Sequence, residues 1–372
     1  MSFIRLKGTI TTKTPLHIGE GIKSNSIKRT RNYIPGSVIR GAVGISLIKA
    51  MCIKTKYVDN HDVCPAKEGC PYYQLFEEKK STTMIFRNAY PRHDGCANKG
   101  TYLPAPLTLH YCENCNERFY SYYTPLNCSY CEKPLEPYNG YLCSDCEHIT
   151  KRPVGVMRFI IKDQKQSSDE NITKFSMPDN IEVIKPNVQY KLDILMNLKF
   201  EKYIDLIHNT LEVISEEGIG WGKRQGFGKF RVKIEKIEPI LIDELYDNAK
   251  RITTKDFVVR LISNAFLKGS MIKPETMLAY ASRAYSVMYH KSKPSLPELT
   301  QAEYKIGYST FGGWSLKKGK KRTFPSLKAG SMFRFKCGKE HIELARALAA
   351  LEAYAIGGFK TYGLGQTLIE RA

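Results

Sequence analysis

Long apolar runs are missing from this 372-residue chain. No stretch approaches the roughly 20 residues needed to cross a bilayer. The opening Met1-Ser-Phe-Ile-Arg-Leu-Lys-Gly lacks the apolar centre and small-residue cleavage site of a secretion signal, and reads instead as a first strand. These absences predict a cytosolic (cytoplasmic) protein. Negative charge is also short: 37 Asp and Glu stand against 57 Lys and Arg, a formal net charge of +20. A surplus of that size suggests a polyanionic partner, nucleic acid above all, unless every protein of the source organism is equally basic. No amphipathic basic helix supports a membrane-surface partner. Hydrophobic residues at 42% are ordinary for a globular protein, and the length allows two or three domains with cores of their own.

Cysteine, by contrast, is plentiful, with 11 residues, and in a cytosolic chain this argues for metal rather than disulfides. Cys112-x₂-Cys115-x₁₂-Cys128-x₂-Cys131 has the spacing of a zinc ribbon, in which two knuckles bring four thiolates into a tetrahedron. Metal would also supply folding energy to a segment too short and polar for its own core. Four thiolates leave no open coordination position, so the ion is expected to be structural. A third pair, Cys143-x₂-Cys146, either completes a second site or replaces one of the first two pairs around a single ion. For a second site Cys64 and Cys70 are the leading partners, with Cys96, His61 and His93 behind them. One or two zinc ions are therefore expected. The ribbon's Phe119, Tyr120, Tyr122 and Tyr123 hint at contact with another subunit or nucleic acid, whereas Cys52 and Cys337 fall in helix or strand patterns and read as core.

The chain is a duplication. Ile219-Gly-Trp-Gly-Lys-Arg-Gln-Gly-Phe-Gly-Lys recurs at constant offset as Ile356-Gly-Gly-Phe-Lys-Thr-Tyr-Gly-Leu-Gly-Gln, which aligns Gly220, Lys223, Gly226 and Gly228 with Gly357, Lys360, Gly363 and Gly365. Ahead of each turn, Ile207, Leu211 and Ile214, and likewise Leu344, Leu348 and Leu351, recur at helical spacing. A β-prone run follows each turn, and an alternating segment precedes each helix. Strand, helix, glycine turn, strand is the second half of a β-α-β-β-α-β ferredoxin-like unit. The opening half of the first unit is readable as a strand over Phe3 to Thr12 and a helix over Ser37 to Ile53, with Pro35-Gly36-Ser37 as turn and cap. In the second, Phe257 begins a strand and Pro274 to Tyr289 reads as a helix. The expectation is an α+β fold of two ferredoxin-like (RRM-like) domains, 1–245 and 250–372. Residues 105–150 form a zinc-binding insertion in the first, and a mixed polar stretch near 240–252 marks the boundary.

Dinucleotide binding requires strand, loop, then helix, and here the order is helix, loop, strand. No Gly-Lys is followed by Ser or Thr, which removes a Walker loop. Helix termination alone needs one or two glycines. Gly220, Gly222, Gly226 and Gly228 with Lys223 and Arg224 among them, and Gly357, Gly358, Gly363 and Gly365 with Lys360, suit close approach of backbone N–H groups to phosphate. Trp221, Phe227 and Tyr362 add rings on which bases could stack. An earlier basic region, Lys23, Lys28, Arg29 and Arg31, runs into the turn and helix carrying Ser37 and Arg40, where an anion would also meet a helix N-terminus. Lys317 to Arg322 forms a further basic cluster, equally suited to a solvated hairpin tip.

Thr14-Pro-Leu-His-Ile-Gly-Glu-Gly, Tyr33-Ile-Pro-Gly-Ser-Val-Ile-Arg-Gly and the paired glycine turns resemble the RAMP (repeat-associated mysterious protein) superfamily, the RRM-like subunits of CRISPR-Cas antiviral defence complexes. Cys64 and Cys70-Pro-Tyr-Tyr-Gln-Leu-Phe resemble a segment of type III members. Two units with a glycine turn in each look most like the type III-D subunit that caps the 5′ handle of the guide. The resemblance implies CRISPR RNA, backbone RAMP subunits and a large signature subunit as partners, with target RNA a further candidate. Target-cleaving relatives carry an acidic residue before the Pro-Gly-Ser turn, but Gly21 to Asn32 contains neither Asp nor Glu. Guide-processing relatives use histidine chemistry. His17 at the first strand's exit and His208 on the helix before the first glycine turn are the histidines considered, and no partner for either is identifiable from sequence. No catalytic residues are expected; an endoribonuclease is the alternative.

Overall fold

Alternation in Phe3–Thr12 (β1) makes it the inner strand of a first sheet. Leu6 and Ile10 point to one cluster and Phe3 to another. The computed structural model describes the chain except residues 1–2, 25–26, 59–60, 68, 78–81, 124–126, 162–178, 241, 253–254, 268, 270–271, 313, 316–318, 321–322 and 372. After β1 come α1 (Gly36–Met51), β2 (Met84–Phe86), β3 (Gln189–Asn197), α2 (Ile204–Glu217) and β4 (Phe230–Pro239). The sheet runs β4-β1-β3-β2, all antiparallel, with Ile10 opposite Tyr190 on one side and Val232 on the other. Gly8 lies where the β1–β4 register shifts, and a Cβ there would run into the Lys233 carbonyl oxygen. One face is covered by Ile39, Val43 and Leu47 of α1 and Ile207, Leu211 and Ile214 of α2.

The mixed polar stretch read as a boundary is helix α3 (Ile242–Ile252), whose Leu245 and Ala249 are buried. Apolar residues four apart give it one buried face despite its polar composition. A second β-α-β-β-α-β segment follows: β5 (Asp256–Leu261), α4 (Pro274–Tyr289), β6 (Thr300–Lys305), β7 (Met332–Lys336), α5 (Ile342–Tyr354) and β8 (Thr367–Arg371). Its sheet order, β6-β7-β5-β8, repeats that of the first. Phe257, Val259, Phe333 and Phe335 pack on Met277 and Ala281 of α4 and on Leu344 and Leu348 of α5. The fold is thus mixed α+β.

Each sheet's remaining face is covered within the chain. Phe3, Ile85 and Leu195 of the first sheet join the second segment's core, with Phe3 lying 6.1 Å from the Tyr354 ring. Arg5 pairs with Glu244 of α3 at 3.1 Å, and Arg87 donates to the Glu352 and Ala353 carbonyls at the end of α5, both at 2.5 Å. On the second sheet, Arg334 pairs with Asp256 and Glu303 and Arg260 with Glu370. The cysteine-rich segment lies over this face: Tyr120 and Tyr122 are within electrostatic reach of those ions. It is pinned by Leu107 N–H donating to the Gly330 carbonyl at 2.8 Å. Gly330, at φ +92°, has no room for a Cβ beside the Ala105 carbonyl, 2.5 Å away. A further sheet, Val156–Ile161, Asp179–Ile184, Ile27–Thr30 and Gly19–Ser24, flanks the first glycine turn and was not legible in sequence.

Candidate nucleic-acid interface and metal centres

Helix α2 stops at Gly218 (φ +82°), and α5 stops at the matching Ala355 (φ +68°). Three backbone hydrogen bonds then close each turn in the same way. Ile219 N–H donates to the Gly228 carbonyl at 2.9 Å, and Ile356 to Gly365 at 2.8 Å. Trp221 N–H reaches the His17 carbonyl at 3.0 Å, and Gly358 reaches Phe266 at 2.8 Å. Gly228 N–H meets the Pro15 carbonyl at 2.8 Å, and Gly365 meets Asn264 at 2.8 Å. The segment Thr14-Pro-Leu-His is therefore the acceptor strip on which the first turn is folded, Thr14 Oγ1 also accepting from Lys229 N–H at 2.9 Å. A Cβ on Gly220 or Gly357 would strike the acceptor carbonyl, and one on Gly228 or Gly365 the carbonyl of Ile219 or Ile356. These four glycines hold the turn's shape rather than a ligand.

What remains free differs between the copies. In the first turn Gly226 (φ +85°) faces open space, and Lys223 and Arg224 are exposed. Among the described residues, the N–H groups of Gly222, Lys223 and Arg224 have no internal acceptor, and no carboxylate lies in ion-pair range of either cation. Gly222 (φ +76°) lets the Phe227 ring close over it, a Cβ there falling 3.2 Å away. The second turn is seated against the first sheet. A Cβ on Gly363 would lie 2.6 Å from Asn88 Oδ1, and the Arg40 guanidinium covers Tyr362 at 4.4 Å. Gly358 packs on the Phe266 ring. Lys360 Nζ sits 3.8 Å over the Tyr354 ring, and burial, followed by Arg283, pushes its pKa down to about 7. A shared glycine and lysine pattern in the two turns does not give equal access.

The early basic residues divide in the same way. Arg29 is exposed and Lys28 half-buried within electrostatic reach of His17, which itself touches Trp221 at 6.1 Å. Arg31 donates to the Gly19 carbonyl at 3.3 Å and to Tyr33 Oη at 3.2 Å. Arg40 donates to the Phe76 carbonyl at 2.7 Å and lies 5.0 Å over the Phe76 ring. Ser37 is not the helix cap: α1 begins at Gly36, whose N–H goes to Asn88 Oδ1 at 2.9 Å, and no side chain caps it. Gly36 is required because a Cβ would meet the Phe86 carbonyl. The tip residues Lys317, Lys318, Lys321 and Arg322 lie outside the described residues.

Two four-residue groups have metal-binding geometry. Cys112, Cys115, Cys128 and Cys131 bring their sulfurs within 4.8 Å of one another. The second group is His93, Cys96, Cys143 and Cys146 under the same limit, with His93 Nδ1 at 3.2 Å from Cys146 Sγ. This corrects the partners expected for Cys143 and Cys146, since Cys64 and Cys70 join neither group among the described residues. The missed signal is His93-x₂-Cys96, which has the same spacing as the other pairs. Three hairpins share one closure: Cys112 N–H to the Glu117 carbonyl at 3.0 Å, Cys128 to Lys133 at 2.8 Å and Cys143 to His148 at 2.8 Å. Asn116, Glu132 and Glu147 each take a left-handed φ just after the second cysteine. Both groups suit a structural zinc ion, with four protein ligands and none left open. The insertion also reaches back beyond residue 105, because Tyr102–Pro104 pairs with Tyr141–Cys143.

His17 is buried with Nδ1 on the Glu182 carbonyl at 2.7 Å, and desolvation lowers its pKa. His208 is partly exposed on α2, 3.9 Å from Glu212. No helix among the described residues is long and apolar enough to cross a membrane.

No family model matches this chain, and no curated protein matches it. Among solved structures, it is similar to a chain of the type III-B Cmr-beta complex bound to cognate target RNA, at 16% identity and TM-score 0.33, covering 64% of this chain and 60% of that one. It is also similar to a Cas6 product complex, at 9% identity and TM-score 0.37 over 99% of each chain.

Proposed function

We propose that this chain is a non-catalytic RNA-binding subunit of a type III CRISPR-Cas effector complex, a two-unit ferredoxin-like protein that holds the 5′ handle of the guide RNA. The observation that carries this reading is the first glycine turn. Gly222, Lys223 and Arg224 present three successive N–H groups and two exposed, unpaired cations, on a chain of net charge +20. Such an arrangement binds phosphate oxygens without reading sequence. The resemblance of the Thr14-Pro-Leu-His and Tyr33-Ile-Pro-Gly-Ser segments to RAMP subunits supplies the biological setting. The second turn serves as the joint between the two units, and backbone RAMP subunits and a large signature subunit are the protein partners.

Contact with about five phosphates of a single strand gives a log–log salt slope near −3.5. Replacing Lys223 and Arg224 by Ala is expected to flatten that slope by about 1.4 and weaken binding across sequences. An unchanged slope and affinity in a salt titration would remove the turn from the interface. Incubation with CRISPR-repeat RNA, with and without divalent metal, is expected to leave the RNA intact. Cleavage lost on His17→Ala would replace this reading with the endoribonuclease alternative.

A further inference from the structure

Beside the first turn three rings from two distant segments form a row. The Trp221 and Phe227 centroids lie 6.0 Å apart, and Phe227 and Phe159 lie 5.5 Å apart, both edge-to-face. Phe159 comes from the strand Val156–Ile161, far away in sequence. Trp221 is 39% and Phe159 37% exposed, a large apolar area to leave in water for packing alone. Between them Phe227 is half-buried and holds both rings at fixed angles. Exposed cations, Lys223 and Arg224, accompany the row on the turn. Among the described residues neither has a carboxylate in ion-pair range. Rigid exposed rings flanked by unpaired cations match the chemistry of an unstacked base and its phosphates, since every base has a π-face and base–aromatic stacking tolerates sequence. A base inside a duplex has no free face to offer.

We infer that the Trp221–Phe227–Phe159 row is a stacking platform for unpaired bases, so that the RNA at this site is single-stranded and splayed, with Phe159 in contact with a base. This rests on the RNA-binding reading above and adds the conformational class of the ligand.

The chain has two tryptophans, so Trp314→Phe leaves Trp221 as the one indole, excited selectively at the red edge where tyrosine does not absorb. Full-length protein of this kind is titrated with a labelled oligouridylate, following the label's anisotropy and Trp221 emission together. An abasic oligomer of equal length and a duplex RNA serve as competitors. The oligouridylate is expected to quench Trp221. Phe159→Ala should weaken its binding roughly 5- to 20-fold, while the abasic oligomer binds both proteins equally. Ile160→Ala, at a neighbouring residue 66% exposed, should bind as the parent does and show that trimming this strand does not unfold it. Binding without quenching, at equal affinity for abasic and normal strands, or tighter binding of duplex, overturns the platform and leaves the phosphate contact standing. Absence of any anisotropy change at low salt overturns both.

Discussion

Residues that look interchangeable in the glycine turns do different work. Gly228 at φ +77° has no space for a Cβ beside the Ile219 carbonyl, whereas Gly226 at φ +85° faces open solvent. Gly226→Ala is therefore expected to cost about 1–2 kcal/mol from the left-handed backbone alone. Gly228→Ala should add displacement of the chain and cost at least about 3 kcal/mol. Chemical denaturation of the two variants checks the difference. Asp193 gives a second residue-scale expectation. It is bonded by Arg5 at 2.9 and 2.7 Å and lies 3.7 Å from Arg87. Burial alone would raise its carboxyl, but Arg5 and then Arg87 outweigh that and hold it well below the usual carboxylate range. A depressed folded value means the group's stabilisation is fully present above its unfolded value of 3.8 and is lost as pH falls through the folded one. Melting temperature should thus drop on acidification below about pH 4, and Asp193→Ala, which removes the carboxylate shared by Arg5 and Arg87, should cost about 3–5 kcal/mol at neutral pH.

At the scale of elements, the cysteine-rich segment is the clearest case of chemistry set by spacing and partnership set by fold. The three Cys-x₂-Cys pairs form alike hairpins because a thiolate pair two residues apart needs the chain reversed within one tight turn. Elemental analysis of purified protein is expected to give two zinc equivalents per chain. Cys143→Ser with Cys146→Ser should give one, whereas Cys64→Ser with Cys70→Ser should still give two. Retention of two after the first change, or loss of one after the second, would reverse the ligand assignment. Helix α3 shows the converse: its polar composition hides a helix whose Leu245 and Ala249, four apart, give it a buried side.

Across the whole molecule, the first β-α-β-β-α-β segment keeps a core of its own between its sheet and helices and lends the other face of that sheet to the core of the second. Phe3, Ile85 and Leu195 are buried among residues of the second segment, and Arg87 ties β2 to the end of α5. Thermal unfolding should then be a single transition for both segments. Arg87→Ala, which removes two charged hydrogen bonds to carbonyls, should lower stability by about 2–4 kcal/mol. Two separated calorimetric peaks in the parent protein would contradict the shared core.

The sequence by itself determined the repeated strand–helix–turn–strand plan, the helices over Pro274–Tyr289 and around Val43, and the first metal group, because each rests on short-range periodicity or spacing that any fold must respect. It also marked both glycine turns. Only the tertiary structure decided which turn stays open, since Gly363 and Tyr362 are covered by Asn88 and Arg40, more than two hundred positions away. The same holds for His93 and Cys96 as partners of Cys143, and for Phe159 beside Phe227. Burial and ligand sets depend on which surfaces meet, and distant surfaces leave no trace in local pattern. A side chain's type fixes what it can bind; only its neighbours fix whether it is free to do so.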